Sequence, residues 1–382
     1  MNKLREKLTP KEVLVNARMR WPVIIVIFTS CVDRINFSVP SAQSLIVVEG
    51  MITDNPGPYT VKVSKSISIN SDSSYRDPVQ NAKIKLYDDE GNDEDFIEGS
   101  PGVYLTSGLI QGKPGHAYSI VLETQDGKVF KSIPDTINPV GEIEQIKFEY
   151  EARTIQTIYG DVDANVFKIY VDANAGTGDN NYVRWRFTGT FKVVTNPELH
   201  EAFGEGSYYK NPLPCSGYIV EPALGGGKLA QVAPCTCCTC WVNQFESEPT
   251  VSDGQLISNN RYSNVKVAEV PVNSATFSDK YMVQVEQMSL TKNAFEFFRL
   301  IRAQKNGASS LFQPPFGEIK GNVNPVNSTD PVVGLFWATS IKGKLIFTYR
   351  SDVPDQLTPM DINTGSCTSF LNSSTAKPDL WQ

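Results

Sequence analysis

From Leu45 onward the chain reads as short runs in which apolar and polar residues alternate. Thr60-Val61-Lys62-Val63-Ser64 sets Val61 and Val63 on one side. Lys83-Ile84-Lys85-Leu86-Tyr87 does the same with Ile84 and Leu86, and the run from Tyr118 to Glu123 aligns Tyr118, Ile120 and Leu122. Period-two alternation marks strands with one buried face. Turn signals separate these runs: Asn55-Pro56-Gly57-Pro58, Asp89-Glu90-Gly91-Asn92, Pro101-Gly102, Lys113-Pro114-Gly115 and Asp126-Gly127. Asp126-Gly127 predicts a hairpin, because both residues tolerate positive φ. Turns spaced at roughly ten residues predict a small antiparallel, Ig-like β-sandwich over residues 44–134.

Pro134 to Pro139 reads as a linker. Beyond it a larger β-rich domain is expected over 140–382. Ile146, Phe148 and Tyr150 alternate there, Val183, Trp185 and Phe187 alternate against Arg184 and Arg186, and Tyr281, Val283 and Val285 continue the pattern. One helix is predicted from Leu290 to about Asn306, with Ser289 as N-cap and Gly307 at C′. Its stripe of Leu290, Ala294, Phe297, Phe298 and Ile301 reads as the face that packs on a sheet. A final hairpin is expected between Gly334-Leu335-Phe336-Trp337 and the run from Leu345 to Tyr349, turning at Lys342-Gly343-Lys344. The predicted fold is mainly β, with one main α-helix.

The first 30 residues break this pattern. Lys3, Arg5, Lys7, Lys11, Arg18 and Arg20 precede the apolar run from Trp21 to Phe28, and Thr29-Ser30-Cys31 follows. Basic flank, apolar run and small residue are the three parts of a secretory signal. The run is too short to span a bilayer, which takes about 20 residues. A Cys directly after the small residue resembles a lipobox, although Phe28 stands where Leu or Val is usual. Residues 1–30 are therefore expected to be a lipoprotein signal peptide, Cys31 the lipid-attachment site, and residues 31–43 a tether. Two or more acyl chains hold a protein on a bilayer stably, where one holds it marginally.

Charge narrows the partners. The 382 residues carry a net −7, and residues 1–30 hold six basic and two acidic side chains, which leaves −11 on the remainder. An acidic body repels phosphate backbones, so nucleic acid is not an expected partner. His116 and His200 are the only histidines and lie far apart in sequence, which weighs against general-base and metal chemistry. No Gly-x-Ser-x-Gly elbow and no His-Glu-x-x-His occurs. Gly225-Gly226-Gly227-Lys228 lacks the spacing of a phosphate loop, and the acidic run from Asp88 to Asp95 lacks calcium-loop spacing and reads as a solvated turn. No cofactor and no metal site is expected.

Six cysteines remain after Cys31: Cys215, Cys235, Cys237, Cys238, Cys240 and Cys367. An even number in an exported chain reads as a disulfide framework. A soft-metal site is the rival, but structural zinc ligands usually stand two to four residues apart within a pair. A bridge between neighbours Cys237 and Cys238 would strain the peptide, so each reaches elsewhere. Cys215 and Cys367 are natural partners for two members of the cluster.

Several segments together carry a resemblance. They are Ile52-Thr53-Asp54, Gly102-Val103-Tyr104, Cys235 to Trp241, Asp279-Lys280-Tyr281 with Val285-Glu286-Gln287, Ser309 to Pro315 with its Phe312-Gln313-Pro314-Pro315 run, Gly321-Asn322-Val323, Gly334 to Ala338, and Lys377 to Trp381. The chain resembles the Bacteroidota lipoprotein family called domain of unknown function forty-two forty-nine. The resemblance implies an outer-membrane, lipid-anchored protein encoded beside a TonB-dependent receptor, facing either the cell surface or the periplasm. It brings no catalytic residues. The expected function is a non-enzymatic accessory or substrate-binding partner of that receptor, with the bilayer as second partner and the ligand unnamed. The alternative is a structural or adhesive surface lipoprotein. Asp135-Thr136-Ile137 also resembles the short O-glycan acceptor of Bacteroidota periplasmic proteins, which would place a glycan on Thr136.

Overall fold

The strands that the alternation predicts are present, and their partners come from both ends of the chain. A computed structural model describes residues 45–66, 77–176, 181–222, 227–307, 319, 321–357 and 363–382. The signal peptide, Cys31, the tether and the run from Phe312 to Pro315 lie outside the described residues. Residues 43–382 form one compact unit.

The first sheet follows the order Val323–Pro325, Val129–Ser132, Ala117–Glu123, Lys83–Asp88, Asp93–Ser100, Val103–Leu105, Thr60–Lys65, Ile46–Thr53 and Val332–Thr339. Asp93–Ser100 pairs with Lys83–Asp88 over its first half and with Val103–Leu105 over its second, so the sheet turns a corner there. The sheet curls nearly closed, like a barrel. Val61, Val63, Ile84, Leu86, Tyr118, Ile120 and Leu122, the apolar members of the predicted runs, all enter one core. The Asp126-Gly127 hairpin forms between Ala117–Glu123 and Val129–Ser132, with Gly127 at φ 78°.

Residues 321–339 complete this sheet from far along the chain. Val332–Thr339 lies parallel to Ile46–Thr53 through eight residue pairs, and Val323–Pro325 adds to Val129–Ser132 at the other end. Asn322 donates its backbone N–H to Gly334 O at 3.1 Å, which brings the two ends together. Gly334 has φ 150°, and a Cβ there would collide with the Val48 backbone. Only glycine admits both the dihedral and the close approach.

The predicted final hairpin does not form. Ser340 alone separates Val332–Thr339 from Ile341–Tyr349, and the two strands enter different sheets. Lys342-Gly343-Lys344 lies inside the second strand, paired with Lys280–Ser289. Residues 134–139 are likewise no loose linker. Asp135–Thr136 is a short strand on Ala117–Glu123, and Ile137 is fully buried.

Two further sheets face each other. One runs Ile341–Tyr349, Lys280–Ser289, Val183–Val194, Thr239–Phe245 and Ser373–Ser374; the other runs Ile143–Glu151, Val166–Asn174, Arg261–Pro271 and Ile257–Ser258. Their inner faces share a core that includes Val171, Trp185, Phe187, Tyr262, Tyr281, Val283 and Val285. At its centre Trp185 Nε1 donates to Gln287 Oε1 at 2.8 Å. The Gln287 amide donates in turn to Gly141 O and Asn174 O. A buried amide is tolerated because its polar atoms are partnered.

The helix spans Lys292–Gly307 and joins the two β-bodies. Ser289 is not its cap, because it ends the Lys280–Ser289 strand. Thr291 takes the N-terminal position: its hydroxyl accepts from Ala294 N and donates to Asp135 Oδ1 at 2.5 Å. Leu290, Ala294, Phe295 and Phe298 pack on Leu335 and Trp337, the outward residues of the strand whose Phe336 and Ala338 enter the barrel core.

Candidate functional site

The stretch from Glu201 to Trp241 joins a sheet only at its end, where the Thr239–Phe245 strand begins. It carries two small hairpins, Glu201–Gly204 with Ser207–Lys210 and Tyr218–Glu221 with Lys228–Gln231. Neither buries a core: Phe203, Tyr208 and Tyr209 are exposed, as are Ile219 and Val220. Two-stranded ribbons of this kind are marginal in water without outside support. Cys215–Cys237 and Cys235–Cys238 close their base, and Cys240–Cys367 ties the Thr239–Phe245 strand to the C-terminal segment. Neighbours Cys237 and Cys238 reach different partners. Trp241 lies half-buried against Trp381, edge to face at 6.5 Å.

Beside the Thr239–Phe245 strand lies a cleft of about 750 Å³. Val242 to Glu248 form one wall and Lys266 to Glu269 with Pro271 the other, while Phe370, Leu371 and Asn372 close one end. Phe187 and Phe191 form its floor. Between these two, Gly189 leaves room for the Tyr281 ring, since a Cβ at 189 would fall inside the Tyr281 hydroxyl. The ring crosses there to donate its hydroxyl to Gln244 Oε1 at 2.7 Å. It stacks on Phe191 at 6.0 Å and on Phe277 at 5.5 Å. Burial holds the Tyr281 phenol far above its ordinary range, so it remains a neutral donor.

The charges around the cleft are already paired. Glu246 accepts from Arg184 Nη2 at 2.6 Å and from Phe187 N at 2.8 Å. Arg184 lies beneath the helix with its guanidinium 4.3 Å from the Phe298 ring centre. Burial pushes its pKa down, and Glu246 pulls it back. On the opposite wall Arg153 and then Lys266 hold the Glu269 carboxyl down at about 2, with contacts of 2.8 and 2.9 Å. Glu248 faces Arg302 at 3.7 Å. A ligand here meets aromatic and aliphatic surface, amide side chains and strand backbone, with no uncompensated charge among the described residues.

Both histidines are in local contacts. His116 Nδ1 lies 2.9 Å from Asp89 Oδ1, and His200 Nδ1 lies 2.9 Å from Asn211 O. Asp88 accepts from the backbone N–H groups of Glu90 and Asn92, which makes the acidic run a self-bonded turn. Asp135 is buried. Burial raises its pKa against the pull of Thr291 and of Ala338 N, which it accepts at 2.8 Å; Thr136 beside it is half-buried. Among the described residues, no group of three His, Cys, Asp or Glu is arranged to hold a metal ion. No described helix is long and apolar enough to cross a membrane.

Sequence reading singles out the cysteines but none of the cleft walls. The cleft forms where the edges of two non-adjacent strands meet, and such a place has no local signature. Fold and site together define a mainly β protein with a disulfide-braced insertion and a lateral cleft. The chain belongs to the family described as domain of unknown function (DUF4249), which it matches over residues 32–344. No curated protein matches it significantly.

Proposed function

We propose that the chain is a lipid-anchored outer-membrane lipoprotein of Bacteroidota that serves a TonB-dependent receptor as a non-enzymatic, substrate-binding partner. The observation that carries the binding role is the cleft, whose charged walls are internally paired and whose floor is aromatic. Such surfaces hold ligands by burial and a few placed polar groups. Export is supported by the basic, apolar, small-residue and Cys31 succession, and by three disulfides that require an oxidising compartment.

A second reading, a structural or adhesive surface protein, is favoured by a different observation. The hairpin of Thr154–Thr157 and Gly160–Asp163 presents Ile158 and Tyr159 at 91% and 93% exposure.

Cys31→Ser tests the anchor. The variant is expected in soluble fractions of fractionated cells. Retention on membranes after a high-salt wash removes the lipid anchor from the account.

A further inference from the structure

We infer that the lateral cleft takes a short, extended oligopeptide, which adds to the Arg261–Pro271 strand as one more strand. The inference rests on the substrate-binding reading and names its substrate class. Arg261–Pro271 pairs along one edge with Val166–Asn174. On the other edge only Arg261 and Tyr262 have strand partners, Ser258 and Ile257. From Ser263 to Pro271 that edge carries no strand among the described residues. The consecutive residues Lys266 to Glu269 line the cleft, so it is this edge that opens into it. The opposite wall is also strand backbone running out of partners. Thr239–Phe245 pairs on its outer side with Ser373–Ser374 only at Trp241 and Val242, and Asn243 N donates to Asn372 O.

The unmet demand in the cleft is thus main-chain hydrogen bonding. Edge strands are completed by extended peptides, whose alternate side chains enter pockets beside the new strand. Phe245 and Leu371, exposed beside the cleft, supply apolar surface for one set of those side chains. The paired walls ask for no charged ligand. A second copy of this chain is disfavoured, because the pairing with Val166–Asn174 shifts register between Ile169 and Tyr170 and again between Val171 and Ala173. Irregularities of this kind, with an exposed Lys266 and with Pro271, are how edges resist long strand-on-strand pairing. A segment of about four to six residues, at about 3.3 Å each, fits the regular stretch.

The test uses the full-length lipoprotein in detergent. The probe is a pool of random hexapeptides, acetylated and amidated at their ends. Hydrogen exchange read by mass spectrometry is expected to slow in 243–248 and 263–271 when the pool is added. Hexapeptides N-methylated at every second residue are expected to bind about tenfold or more weakly. Phe245→Glu, on the exposed rim, is expected to weaken binding similarly without moving the unfolding midpoint. Equal binding of the N-methylated pool overturns the inference. So does protection outside the cleft, protection by soluble oligosaccharides in place of peptides, or no protection at about 1 mM peptide. If a receptor barrel still co-purifies while peptides fail to bind, only this inference falls. If peptides bind and no receptor co-purifies, only the partnership falls.

Discussion

Glu94 is a small case of how this chain spends a charge inside its fold. It is 3% exposed, yet it accepts from Ser107 Oγ and from the backbone N–H groups of Gly108, Leu109 and Ile110, at 2.7 to 3.0 Å. Burial pushes its carboxyl pKa up, and these donors outweigh burial and hold it below the ordinary 4.5. A depressed folded pKa gives stability that is present above 4.5 and lost as the pH falls below it. Glu94→Gln turns an amide toward N–H donors and is expected to cost about 1–3 kcal/mol at neutral pH. The variant should also lose less stability than the parent on acidification, which urea unfolding at pH 7 and pH 4 would measure. Arg184 shows what residue patterning misses. Alternation against Trp185 places it outside the core, and it is outside that core, but the helix covers it. Glu246→Ala leaves this buried cation without its carboxylate and is expected to cost about 3–5 kcal/mol in chemical denaturation. A loss below about 1 kcal/mol, as for an exposed pair, would contradict this picture.

At the scale of elements, the strands and the helix are legible because each carries its own period. Their pairing is less so. The run from Gly334 to Trp337 has the pattern of a strand, and a second strand follows within a few residues, so a hairpin is the local inference. The structure sends the two to separate sheets, because Gly334 fits against Val48 and Leu335 and Trp337 are needed under the helix. Neither partner is local. The cysteines are legible as a framework, and their spacing sets an order of importance. In the chain-entropy view, Cys240–Cys367 closes a span of 127 residues and is worth about 5 kcal/mol, while Cys235–Cys238 spans 3 and is worth about 2. Replacing each pair by alanines and unfolding in urea is expected to reproduce that order. Equal effects, or a larger one for Cys235–Cys238, would show that the bridges act through local packing instead.

For the whole molecule, the first sheet needs residues 321–339, and the two facing sheets need residues 140–174 together with 341–349. Closure of the first sheet depends on pairs nearly 200 residues or more apart. That interleaving is why the barrel, the junction at Asp135 and the lateral cleft are absent from any local reading. It also sets the cleft between strands of the two facing sheets. The proposed partnership with a TonB-dependent receptor is open to direct test. Its most direct measurement is the native mass of the proposed lipoprotein, drawn by a C-terminal tag from gently solubilised outer membranes. The expected result is a stoichiometric complex with a TonB-dependent receptor barrel. Recovery of the lipoprotein alone, under conditions that keep other outer-membrane complexes intact, would contradict it.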